Sequence, residues 1–396
     1  MLRFLTAGES HGPALTAIVE GMPAGVPVTE EAINRHLARR QVGFGRGERM
    51  KIERDSARVL SGIRFGQTLG SPIGLLIENR DWANWTDRMR QFGPPDQFVP
   101  PISVPRPGHA DLPGMVKYDT PDLRNILERA SARETAARVA VGALARCLLD
   151  ALGIRIFSHV LAIGGVHAQI DLSDPADYSQ IEATAEASDL RCADPQAAEA
   201  MRERIREAGK AGDTLGGIVQ VIATGLPIGL GSHVHGDRRL DGQLAGALMG
   251  IPAIKGVEFG LGFQVAELPG SEVHDAIYRD GTRVTRRTNH AGGLEGGMTN
   301  GEPLVMQLAM KPIPTLTRPL PSVDLATGEA VQAHAERSDV CAVPAAGVVA
   351  EAVCAFVLSS NIVEQFSGDT LGDIQVSYNR RAARAEMLVP PSERHT

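Results

Sequence analysis

The sequence predicts an α/β (α+β) fold made of two related halves, each carrying one long buried helix. Three observations lead there. At 396 residues the chain exceeds the size at which a single core usually stops growing. Two runs are apolar almost all round at helical length, as expected of helices inside a core. The first follows Ser131-Ala132-Arg133-Glu134 and includes Val139, Val141, Leu144 and Leu148; the second covers 345–362, where Glu351 is the only charge. Finally, Gly12, Ile18, Gly21, Pro23 and Gly25 recur as Gly216, Ile222, Gly225, Pro227 and Gly229 at identical spacing. Ordered self-similarity of this kind is the mark of internal duplication.

Taken in order, residues 2–7 and 14–20 read as strands joined through Gly8-Glu9-Ser10-His11-Gly12. Thr29 precedes a helix over 30–40 with acids in its first turn. Residues 58–65 and 72–78 read as strands, and 79–101 as a long loop. Ser131 and Glu134 have the S-x-x-E spacing of a capping box for the first buried helix, which Gly153 ends. Residues 154–163 form an apolar strand. The stretch 171–213, with a charged helix over 196–210, reads as a peripheral insertion between halves at about 1–170 and 214–378. Ser71-Pro72-Ile73 and Glu302-Pro303-Leu304 each open an apolar strand, as paired halves require. The polar residues 379–396 read as a mobile tail.

Composition excludes several function classes. A net charge of −7 and 4% aromatics argue against a nucleic-acid binder, so any anion site must be a local concentration of arginine. Cys147, Cys192, Cys341 and Cys354 form no C-x-x-C pair and read as reduced thiols of a cytoplasmic protein. The N-terminus has no signal-peptide pattern. No apolar run is read as long enough to span a bilayer, so no membrane role is expected.

Candidate chemistry gathers in a few loops. The stretch 35–54 holds Arg40, Arg46 and Arg49 with Gly43, Gly45 and Gly47 interleaved, a composition able to wrap a small anion. Arg129 and Arg133 stand at the start of the first buried helix, where free N–H groups and the dipole also favour negative charge. His11 and His109 lie in glycine-bounded turns; His109-x-Asp111 lacks further spaced ligands, so no metal is expected. The glycine-rich loop 288–297 fits neither a dinucleotide fingerprint nor a P-loop. Together these features suit an enzyme acting on a small, multiply anionic substrate, such as a phosphate ester bearing carboxylates.

Six motifs in this order resemble the chorismate synthase family over roughly residues 1–378. They are Gly8-Glu9-Ser10-His11-Gly12, the arginine-rich loop 43–55, Arg106-Pro107-Gly108-His109-Ala110-Asp111, Ala130-Ser131-Ala132-Arg133-Glu134-Thr135, the loop 289–297 and Arg337-Ser338-Asp339. Ala130 departs from the serine many members carry. The resemblance implies a pseudo-symmetric β–α–β sandwich assembled as a homotetramer. It implies elimination of phosphate from 5-enolpyruvylshikimate 3-phosphate to give chorismate, with reduced FMN required and NADPH reducing the flavin in some members. By the same resemblance His11 protonates the departing phosphate, His109 manages protonation near the flavin, and Asp339 relays the ring proton by way of flavin N5. Flavin contacts are implied at Arg129, Ala130, Ser131, Pro252, Ala253, Gly296, Lys311, Pro312, Ile313, Pro314, Thr315 and Arg337. Anion contacts, to substrate or NADP, are implied at Arg40, Arg46, Arg49, Arg106 and Arg133.

Overall fold

The computed structural model describes residues 1–46, 54–172, 174–334 and 339–389. Arg49 and Arg337, two of the expected site residues, lie outside the described residues.

Alternating apolar residues make strands β1 (Arg3–Ala7) and β2 (Ala14–Glu20), whose inward positions Leu15, Ala17 and Val19 are buried. Helix α1 (Glu30–Gln41) starts at Thr29, whose hydroxyl accepts from the Ala32 N–H at 3.0 Å. Strands β3 (Ala57–Val59) and β4 (Ile73–Glu78) complete a four-stranded antiparallel sheet ordered β1-β2-β4-β3. The loop expected over 79–101 opens with a short 3-10 turn at Arg80–Asn84. Helices α2 (Asp111–Tyr118) and α3 (Arg124–Ala130) lead to the long helix α4 (Thr135–Asp150).

Strands β5 (Arg155–Ile163) and β6 (Val166–His167) precede two helices, α5 (Tyr178–Ala187) and α6 (Pro195–Ala211). Asp194 caps α6, Pro195 opens it and Gly212 closes it in the left-handed region, as sequence rules dictate. Then come β7 (Gly217–Thr224), α7 (Leu240–Met249), β8 (Ile254–Phe259) and β9 (Leu304–Met310). The second sheet is antiparallel too and ordered β8-β9-β7-β5-β6. Leaving out the two-residue β6, both sheets place their strands first, second, fourth, third in chain order. With every main pairing antiparallel, the fold is of the α+β kind.

Helix α8 (Val343–Phe366) packs on α4; α4 also contacts β2 and β4, and α8 contacts β5 and β7. The two apolar helices thus join one sheet to the other through a single hydrophobic core. Gly142 sets their approach: a Cβ there would fall 2.4 Å from the Ala352 Cβ. By length and composition α8 could cross a membrane, which corrects the reading that no run was long enough, yet 78% of its most apolar window is buried inside the protein.

Two further expectations are corrected. The capping box at Ser131 and Glu134 does not form. Ser131 instead accepts from the Arg133 N–H at 3.3 Å and starts a 3-10 turn, while the Glu134 carboxylate takes Arg138 at 3.0 Å. Residues 379–385 belong not to a tail but to helix α9 (Leu371–Ala385). Its Thr370–Asp373 capping box and the buried Tyr378, which donates to the Gly225 carbonyl at 2.9 Å, hold it to the body.

Candidate active site

A cleft of about 1260 Å³ opens where the Ser10–His11 turn, the start of α4, the segment 97–110, the Pro252–Ala253 turn and the end of β9 converge. Its wall carries Arg40, Arg46, Arg88, Arg106, Arg124, Arg133 and Lys311, against the acids Asp87, Glu128 and Asp339. An acidic chain thus presents a locally cationic recess, as an anionic ligand needs.

Both histidines expected to act reach this cleft, and each is tied to a carboxylate that is 1% exposed. His11 Nδ1 lies 2.8 Å from Glu128 Oε2, which also accepts the His11 backbone N–H at 3.0 Å. The His11 ring stacks on Trp85 with centroids 3.8 Å apart at 25°. His109 Nδ1 lies 2.5 Å from Asp111 Oδ1. A carboxylate only accepts, so His11 carries hydrogen on Nδ1 and keeps Nε2 as its other ring nitrogen, whereas His109 Nδ1 faces both the Asp111 acceptor and the Arg106 guanidinium, a donor, at 3.0 Å. Arg106 donates to both oxygens of Asp111 at 2.9 and 3.1 Å. Burial opposes ionisation of Asp111, but the hydrogen bonds from His109 and Arg106 outweigh it and hold the carboxyl well below its usual range.

The opposite wall is built on backbone geometry. Ala253 has φ +70°, an uncommon conformation for a residue with a side chain, and its carbonyl accepts from the Lys311 N–H at 2.9 Å. The Lys311 ammonium donates to the Gly108 carbonyl and so joins the end of β9 to the turn bearing His109. Gly108, at φ +80°, supplies the left-handed turn this needs.

Arg40 and Arg133 share one buried carboxylate. Asp55 takes Arg133 at 2.5 Å and Arg40 at 3.4 Å, while Arg40 also donates to the Ala132 carbonyl and the Thr135 hydroxyl, and Arg133 to Asn79. Arg46 pairs with Asp339 at 3.0 Å. Ser131 donates to Ser10 at 3.3 Å.

Against this geometry, residues 2–363 match the family model described as chorismate synthase. The chain belongs to the chorismate synthase family. Relatives agree along nearly the whole length. The chorismate synthase of Moorella thermoacetica is 60% identical over 376 residues, 95% of this chain and 97% of its own. That of Desulforamulus reducens is 58% identical over 384 residues, 96% and 98% respectively. The crystal structure of a chorismate synthase overlays with a TM-score of 0.80 at 43% identity, covering 97% of this chain and 98% of that one. As a member of this family the chain is an enzyme of the lyase class.

The cleft brings together His11, His109, Asp339, Arg40, Arg46, Arg106, Ala130, Ser131, Arg133, Pro252, Ala253, Lys311, Ile313, Pro314 and Thr315. It does not bring Arg129, Pro312 or Gly296 to its wall. Arg129 is held by the Gly8 and Thr6 carbonyls and the Thr6 hydroxyl at 2.8–3.1 Å, so it braces β1 rather than facing the cleft. Gly296 lies in the turn between two short strands at Leu294–Glu295 and Met298–Thr299. Among the described residues no group of His, Cys, Asp and Glu is arranged to hold a metal. Sequence reasoning missed Trp85, Asp55, Asn79, Arg124 and Glu128. Only the last two had a local signal, an i,i+4 ion pair on α3 at 3.3 Å.

Proposed function

We propose that this chain catalyses the anti-1,4-elimination of phosphate from 5-enolpyruvylshikimate 3-phosphate, giving chorismate and inorganic phosphate in the shikimate pathway. The observation that carries this reading is the pair of carboxylate-bound histidines on one cation-lined cleft. Departing phosphate needs a proton and a cationic surround, and imidazole provides the first near neutral pH.

The residues present fit a flavin beside the substrate. The volume exceeds the roughly 300–1,000 Å³ of a site for one drug-sized ligand. The lining includes the apolar side chains of Ile251, Ile313, Pro314 and Val349, suited to a ring system, together with the cations. Arg124 Nε is a buried N–H with no protein acceptor among the described residues. The positions that would hold the cofactor are Ala130, Ser131, Pro252, Ala253, Lys311, Ile313, Pro314 and Thr315. Reduced FMN, when bound, supplies electron density that helps expel phosphate and is recovered at the end of the cycle.

The chain's own residues do the rest. His11 delivers a proton to the leaving phosphate from Nε2. His109 holds a proton at the cleft wall, with Asp111 orienting it. Asp339, 20% exposed and paired with Arg46, is the carboxylate that takes the ring proton. Arg46, Arg106 and Arg133 neutralise substrate anions, and orientation of the two ligands supplies the proximity that catalysis needs. A role for NADPH at Arg40 and Arg46 has weaker support, since the Arg40 guanidinium is buried against Asp55, Thr135 and Ala132.

The matching strand orders and the paired helices α4 and α8 support a duplicated, pseudo-symmetric β–α–β sandwich, and the resemblance supports a homotetramer. Four unpaired cysteines support a reducing, cytoplasmic setting. The test is anaerobic: protein, dithionite-reduced FMN and 5-enolpyruvylshikimate 3-phosphate are mixed and chorismate absorbance is followed. Chorismate that depends on reduced flavin is the expected result; none from folded protein would overturn the reading.

A further inference from the structure

His11 is the more tightly framed of the two cleft histidines. One edge of its ring meets Glu128, one face meets Trp85, and its own backbone N–H is bonded to the same carboxylate. Glu128 is buried yet reaches the cleft wall, and its other oxygen takes Arg124 at 3.3 Å. The Ser10 N–H donates to the Glu128 backbone carbonyl at 3.0 Å, so the turn bearing His11 is pinned to α3 twice. Trp85 is itself held: its indole N–H donates to Asp81 at 2.8 Å, and the Arg124 and Arg88 guanidinium groups lie 5.4 and 5.5 Å from its ring centre. An ordinary surface ion pair explains none of this. Arg124 alone would neutralise Glu128, and a buried carboxylate aimed at both the ring and the backbone of one residue fixes that residue's orientation.

We propose that Glu128 is a positioning residue for the elimination: its carboxylate keeps a proton on His11 Nδ1, so that the charged ring presents Nε2–H to the leaving phosphate and is left as the Nδ1–H tautomer, while Trp85 blocks rotation of the ring. The inference rests on the proton-donor reading of His11. Glu128 touches neither substrate nor cofactor in this scheme. It acts by choosing which ring nitrogen carries the transferable proton and by stabilising the charged ring before transfer. No bond to Glu128 is made or broken, and the proton lost to phosphate from Nε2 is regained from solvent between turnovers.

The test uses the full chain with reduced FMN under anaerobic conditions and three variants: Glu128→Ala, Glu128→Gln and Trp85→Phe. The Glu128→Ala variant is expected to lose about 100-fold in kcat with KM changed less than about 3-fold, the size of a general-acid contribution. Formate at millimolar concentration should restore at least about ten-fold of that loss by filling the vacated carboxylate position, which opens on the cleft. Glu128→Gln keeps the acceptor and loses the charge, so it should fall about ten-fold, and Trp85→Phe less than that. Nitrogen-15 spectra of histidine-labelled protein, with His11 assigned by its absence in His11→Asn, should show Nδ1–H in wild type and in Glu128→Gln and lose that state in Glu128→Ala. Unchanged kcat in folded Glu128→Gln would overturn the proposal. So would a loss in Glu128→Ala with the tautomer unaltered and no formate rescue, since that is the pattern of a merely structural pair. Wild type that forms no chorismate would instead sink the functional reading, and the nitrogen-15 arm would still decide whether Glu128 sets the His11 tautomer.

Discussion

Arg39 and Arg40 are neighbours on α1, yet they enter two different clusters. Arg39 turns into the core, where Glu351 of α8 receives Arg39 at 2.7 and 2.9 Å, Arg146 at 2.9 Å, Arg191 at 3.0 Å and the Ser158 hydroxyl at 2.6 Å. Arg40 turns toward the cleft, where Asp55 serves it and Arg133. Both clusters set one buried carboxylate against more than one guanidinium group, three on Glu351 and two on Asp55. The first is closed by protein groups and joins α1, α4, α8 and the segment before α6. The second is open on one side, because Arg40 and Arg133 also form cleft wall. The same pairing chemistry thus serves stability in one place and a binding surface in the other, and access to ligand is what separates them.

The core cluster should break hardest. Burial opposes ionisation of Glu351, but Arg39, Arg191 and Arg146 overcome it and hold the carboxyl far below its usual value of 4.5. His36 beside it is pushed down to about 3 by burial and by Arg146 and Arg39, so it stays neutral and accepts from Arg39 at 3.0 Å. Glu351→Ala leaves three buried guanidinium groups short of a partner and should cost about 3–5 kcal/mol in denaturant unfolding. Because the folded value is depressed, the stabilisation is complete above pH 4.5 and drains away as pH falls toward the folded value. Glu351→Gln should therefore show a flatter acid limb of stability than wild type; an identical limb would mean that another carboxylate governs acid unfolding.

Asp55→Asn should cost less, about 1–3 kcal/mol, because water can reach the cleft side. It should also raise KM for the phosphorylated substrate, since the charge is lost and one of the two oxygens that aim Arg40 and Arg133 becomes an NH2 donor. Steady-state kinetics and melting on one preparation separate the two effects. Lost stability with unchanged KM would make this cluster a second structural clamp and erase the contrast with Glu351. The smallest change is Ser131→Ala. Its hydroxyl caps only a 3-10 turn at 3.3 Å, so about 0.5 kcal/mol is expected, read as a slight fall in melting temperature. A loss of 2 kcal/mol or more would restore the full capping role that the sequence suggested.

Much of the fold was legible locally. The strands at 2–7, 14–20 and 154–163, the cap at Thr29, the bounds of α6 and both buried helices follow from periodicity and from Gly and Pro chemistry. What failed were competitions between local and distant partners. Ser131 and Glu134 have the spacing of a capping box, but the turn around Arg133, whose side chain reaches Asp55 and Asn79, starts as 3-10 helix. Arg129 sits at a helix end suited to an anion, but backbone carbonyls of Thr6 and Gly8 claim it. In the candidate site, the expected histidines and most of the expected arginines reach one cleft, while their carboxylate partners were largely invisible. Glu128 lies 117 residues from His11, and Asp55 lies 78 from Arg133. No local pattern reports a pair so far apart.

By itself the sequence determined which segments could be buried, where the chain must turn, and that arginine, histidine and glycine would concentrate in a few loops, because propensity and hydrophobic period act over short stretches. Its ordered motifs also determined the family. Only the tertiary structure decided which arginines face the cleft and which lock the core, and which carboxylate holds each histidine. Those choices depend on desolvation and on partners brought together by the packing of α4 against α8, and a charged side chain has no fixed role until its surroundings are set.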